Sequence, residues 1–163
     1  MKKLKGVIIS VLISIFIINI VEVRPKAEDE GYYIKNMQVD VEVNDKREFF
    51  VTETIDVYFN EDRHGIKRDI TTSSGTEECS ISDIYVIGAP YESTKESGNV
   101  SLKIGDEDEN IDGDKRYIIK YTLNYYDDEE EDGDYIYLNL LPTWDTRVEN
   151  FRANITYPKE GKL

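Results

Sequence analysis

Apolar residues recur at every second position through most of the chain beyond residue 30, and the best-specified run is Phe49 to Phe59. Val51, Ile55, Val57 and Phe59 fall on one face of an extended strand, and Phe50, Thr52, Thr54, Asp56 and Tyr58 on the other. One acid, Glu53, interrupts the apolar face. A turn follows at Asn60 to Gly65, and Ile66 to Thr71 resumes the alternation with Lys67 and Arg68 inside it. The same period of two marks strands at Tyr33 to Val43, Ser80 to Ile87, Val100 to Ile104, Lys115 to Tyr126, Tyr135 to Leu141 and Phe151 to Tyr157. Short clusters of Gly, Asn, Asp, Ser and Pro separate these runs, and no stretch after the leader shows a helical period. About eight strands joined by short turns predict an all-β fold, an antiparallel β-sandwich of immunoglobulin-like type. Cys79 is the only cysteine, so the disulfide usual in that fold is excluded.

Met1 to Ala27 stands apart from this pattern. Lys2, Lys3 and Lys5 precede the apolar run Gly6 to Val21, which reads as a hydrophobic leader helix, either a signal peptide or an N-terminal membrane anchor. Pro25 occupies the third position before a cut after Ala27, where a small residue is wanted, so both readings stay open. Either way the lysines hold the N-terminus in the cytoplasm and residues 28–163 face outward as one extracytoplasmic domain.

Charge narrows the partners. Of 20 Lys and Arg, five lie in the first 27 residues, against one of 34 Asp and Glu, which leaves 15 basic and 33 acidic residues and a net charge of −18. Such a field repels phosphate, which excludes nucleic acid, and favours cations or a basic partner.

Several short motifs resemble the DUF2207 family of predicted bacterial membrane proteins. They are Tyr33-Ile34, Val51-Thr52-Glu53, Tyr58-Phe59, His64 to Ile70, Ile104-Gly105, Tyr117 to Tyr121, Tyr137-Leu138-Asn139 with Trp144, and Ile155 to Pro158. The resemblance implies an extracytoplasmic all-β domain followed by transmembrane helices, with no established reaction. Membrane attachment would then come through the N-terminal segment or through C-terminal helices beyond Leu163, and the sandwich would be truncated at its C-terminal end with a sheet edge exposed.

Candidate chemistry is sparse. His64 is the only histidine, neither it nor Cys79 has a nucleophile motif around it, and no catalytic residue is assigned. Asp108, Asn110 and Asp112 match the first half of a calcium loop, but Ile119 stands where the bidentate Glu belongs, so they are weak metal ligands at most and Asp112-Gly113 reads as a hairpin bend. No cofactor is implied. Glu53 is expected to be buried in a structural role with Arg68, Tyr117, Tyr121 and Trp144 as core residues. If Asn60 to Gly65 closed a simple hairpin, however, Arg68 would lie opposite Val57 and roughly 13 Å from Glu53, so that either the hydroxyls of Tyr117 or Tyr121 are the donors or a bulge brings Arg68 back to it. Two functional classes follow. One is a non-enzymatic extracytoplasmic binding or structural module for a protein or wall component. The other is a secreted enzyme that acts on a wall or carbohydrate substrate through loop carboxylates.

Overall fold

A computed structural model describes residues 31–74, 77–96, 98–125 and 144–157, together with 138, 140 and 141. The leader, the acidic run Asp127 to Asp132 and most of the expected strand Tyr135 to Leu141 lie outside these residues. The described residues form nine strands and no helix: β1 (Tyr32–Val43), β2 (Glu48–Arg63), β3 (Gly65–Thr71), β4 (Ser73–Ser74), β5 (Glu77–Ile87), β6 (Tyr91–Glu96), β7 (Asn99–Gly105), β8 (Ile111–Tyr125) and β9 (Phe151–Thr156). They make a six-stranded sheet in the order β4-β5-β8-β2-β1-β9 and a three-stranded sheet in the order β3-β7-β6. All pairings are antiparallel except that of β9 with β1. The fold is the all-β sandwich the alternation predicts, divided less evenly than the four and three strands of an immunoglobulin constant domain.

The central strands carry the clearest alternation because they are buried on one face only. On β2, Phe49, Val51, Glu53, Ile55, Val57 and Phe59 point inward; Tyr117, Ile119, Tyr121 and Leu123 of β8 and Met37, Val39 and Val41 of β1 flank them. Ile66, Arg68 and Ile70 of β3 and Val100, Leu102 and Ile104 of β7 close the core from the other sheet. Strand β6 was not legible in the sequence. Tyr91 is half-buried and the five residues after it are exposed, so a sheet-edge strand shows no period of two. Likewise β9 is exposed throughout, although its register with β1 puts Phe151 beside Met37 and Ile155 beside Val41 on the inner side.

Two sequence expectations change. First, β2 and β3 do not form a hairpin. β3 pairs with β7, so the chain crosses from one sheet to the other at His64, and Arg68 faces Glu53 across the core instead of sliding away along a neighbouring strand. Two glycines permit this corner. Gly65 and Gly105 pair at φ 147° and 145°, and a Cβ on either would stand 1.9 or 1.8 Å from the opposing carbonyl oxygen. Secondly, the turn between β7 and β8 is Asp106 to Asn110, held by the Asp108 amide donating to the Asp106 carboxylate at 3.0 Å. Gly113, with φ 68°, lies inside β8 opposite Phe59, where the pairing with β2 shifts register.

Candidate binding cleft at the sheet crossover

Glu53 accepts three hydrogen bonds in the core. Arg68 donates from Nε at 2.7 Å and Nη2 at 2.6 Å, and the Tyr121 hydroxyl donates at 2.7 Å. Glu53 is 1% exposed and Arg68 4%, so the pair is desolvated and its geometry must do the compensating. Burial alone would lower the Arg68 pKa, but the adjoining carboxylate outweighs it and the guanidinium is held charged. Burial, reinforced by Glu53, pushes the Tyr121 phenol well up. The remaining Arg68 nitrogen, Nη1, donates to the Asp69 carbonyl, and the guanidinium lies 5.8 Å from the centre of the Trp144 ring.

Four of the five expected core residues thus meet at one place. Tyr117 does not join them. It sits the same distance along β8 from Ile119, the cross-strand neighbour of Glu53, yet its buried hydroxyl has no partner among the described residues, and burial pushes its pKa up to about 12. The indole Nε1 of Trp144 is also buried without an acceptor among them.

Arg68 and Trp144 line a cleft of about 570 Å³ at the crossover. Its walls come from the His64 corner, the start of β3, the end of β7 with the following turn, and Trp144-Asp145. Arg63 lies 5.2 Å above the ring of Tyr32, which forms part of the lining. Lys67 pairs with Asp69 at 3.1 Å and Lys103 with Glu107, whereas Asp62 and Asp145 make no salt bridge among the described residues. Nothing in the sequence marked Lys103 or Tyr32 for this place. Only the glycine-flanked motifs His64-Gly65 and Ile104-Gly105 signalled a special backbone there.

The other candidates stay apart. Asp108 and Asn110 belong to the exposed β7–β8 turn and Asp112 to the start of β8, and no group of three metal-ligating side chains gathers among the described residues. His64 Nδ1 lies 3.2 Å from the Glu109 carbonyl, while the Cys79 thiol, its pKa raised by burial, reaches the Thr72 carbonyl at 3.5 Å. The two have different partners and form no dyad.

Comparison with known proteins adds the following. A family model described as the N-terminal domain of a predicted membrane protein (DUF2207) matches residues 33–163. No curated protein matches the chain. Among solved structures the chain is similar to an M1 zinc metallopeptidase from Deinococcus radiodurans, both as a mutant bound to a Tyr-Ser-Ala substrate (12% identity, TM-score 0.39, covering 57% of this chain and 20% of that one) and in a second structure (10% identity, TM-score 0.36, 56% and 20%). The chain therefore spans about a fifth of the length of those enzymes.

Proposed function

Because this chain belongs to the DUF2207 family, as the N-terminal domain of a predicted membrane protein, we propose that it is a non-catalytic binding module held on the outer side of the membrane, with the crossover cleft as its binding surface. One observation carries this reading. Residues far apart in the chain, His64 to Asp69, Ile104-Gly105 and Trp144, converge on a single cleft, and Glu53 and Tyr121 brace it from behind through Arg68. Protein interiors seldom keep a buried ion pair for stability alone, and this one fixes the wall of a cleft.

Among the described residues the three carboxylates with a displaced pKa all move down, the direction opposite to that of a general acid. The Arg116 hydrogen bond lowers Asp56. Burial would raise Asp69, but bonds from Ser101 and Lys67 outweigh it, and the Lys103 hydrogen bond lowers Glu107. The outward orientation rests on the lysines ahead of the apolar leader.

The test uses the full chain in detergent micelles with purified cell-envelope material. Retention by that material is expected, with the combined variant Asp62→Lys and Asp145→Lys melting like the parent but binding about tenfold less. Undiminished binding by that variant would remove the cleft from the reading. Release of soluble fragments from wall polymer on incubation would make the protein an enzyme instead.

A further inference from the structure

Away from the cleft, we infer that the outward face of the six-stranded sheet is where two copies of this chain meet. Alternation puts Phe50, Thr52 and Thr54 of β2 on that face, and the register sets Thr52 beside Lys120 of β8 and Thr54 beside Ile118. Lys120 in turn lies beside Tyr85 of β5, and Ile118 beside Ile87. Tyr85 is 60% exposed, Phe50 45% and Ile87 43%, so three large apolar side chains stand in water on one patch. Leu138, Leu140 and Trp144 pack against the core, which puts them on the opposite side of the sheet.

The patch is also poor in charge. Charged residues make up 33% of the chain, yet over the rows from Phe50 to Thr54 the paired outward positions of β2, β8 and β5 carry one charge, Lys120. Asp83 is set aside in the β5 bulge, where its carboxylate accepts from Ser82 at 2.9 Å. Loss of charge around exposed aromatic side chains is the composition of an interface core. The acidity of the rest of the chain repels a second copy, but physiological salt screens that repulsion beyond about 8 Å.

The flanking strands select the partner. On β1, Asp40 lies beside Thr52 and Glu42 beside Phe50, whereas β8, on the other side of β2, presents Lys120 and, two rows along, Arg116. A two-fold axis running along β2 lays β1 of one copy over β8 of the other. Asp40 then meets Lys120 twice, and Phe50 meets its own counterpart near the axis. Facing sheets stand about 10 Å apart, a gap that a lysine side chain spans. A two-fold axis across the strands would instead set the acids of β1 on themselves. The axis along β2 also keeps the same ends of both copies on one side, which suits copies held in one membrane.

The experiment is sedimentation equilibrium of the full chain in density-matched detergent micelles. The parent is expected to dimerise at micromolar concentration. Asp40→Lys and Lys120→Asp each place like charges at both contacts, and each should weaken dimerisation about tenfold or more with an unchanged melt. An equimolar mixture of the two variants should recover the parent's affinity, because both contacts then pair unlike charges. Lys95→Asp makes the same charge change on exposed β6 of the other sheet and should leave the dimer intact. A parent that stays monomeric at millimolar concentration would overturn the inference, as would a mixture no tighter than its components. Lys120 is exposed, so Lys120→Asp dimerising as tightly as the parent would overturn it even if Asp40→Lys does not fold.

Discussion

Strand β2 carries two arginine–carboxylate pairs three residues apart, and they sit in opposite environments. On the inner face Glu53 meets Arg68 from the facing sheet, with side chains 1% and 4% exposed. On the outer face Asp56 meets Arg116, its direct cross-strand neighbour on β8, at 2.6 and 2.9 Å, with side chains 23% and 63% exposed. The chemistry is the same and the bidentate geometry is similar. In water the outer pair gains little over its solvated partners. Inside, each charge has lost its hydration and depends on the other, so the pair commits the sheets to one relative placement. Placement of the cleft wall follows from that commitment, since Arg68 also reaches Trp144 and the Asp69 carbonyl.

The largest expected effect breaks the inner pair. Arg68→Ala leaves Glu53 charged and buried, and denaturant unfolding should show a loss of about 3–5 kcal/mol. Replacing both, Glu53→Leu with Arg68→Met, should cost far less than Arg68→Ala, because no orphaned charge remains. If the double variant were as unstable as the single one, packing rather than charge would hold the sheets together.

Alkaline pH strains the same region. The Tyr117 and Tyr121 phenols have folded pKa values raised above the unfolded value, so the unfolded chain releases its protons first. Their contribution is complete below pH ~10 and is lost as pH rises, at about 1.4 kcal/mol per unit for each phenol. For Tyr117 the loss runs to its folded value of about 12. Tyr117→Phe should flatten the alkaline limb of the stability curve measured by urea unfolding across this range.

The two tyrosines then separate at neutral pH. Tyr121→Phe removes a donor from the buried carboxylate and should cost about 1–3 kcal/mol. Tyr117→Phe removes a hydroxyl with no partner among the described residues, and its melting temperature should equal or exceed that of the parent. Smallest of all, Arg116→Ala on the outer face should cost below about 1 kcal/mol. The lowered pKa of Asp56 gives that pair a contribution present above the unfolded carboxylate value and lost only as pH falls through the lower folded one. Stability of Arg116→Ala and parent should therefore converge in acid.

Alternation alone determined much of this protein. It gave the all-β class, the inward faces of β1, β2, β7 and β8, the burial of Glu53 and its bond from a tyrosine hydroxyl, because a strand buried on one face writes its environment into every second residue. It could not show β6 or whether Arg68 reaches Glu53. An edge strand exposed to water carries no such signature, and a pattern along one strand does not say which sheet the next strand joins. Had Gly65 and Gly105 carried side chains, the approach of their backbones at the crossover would be closed. Their conformational freedom sends β3 to the second sheet, and that choice converts a separation of roughly 13 Å along a hairpin into a contact of 2.6 Å across the core. Tyr117 and Tyr121 are equivalent by period and by register. Only the direction from which Arg68 arrives distinguishes the one that bonds from the one that does not, because hydrogen bonds depend on where three-dimensional packing puts their acceptors.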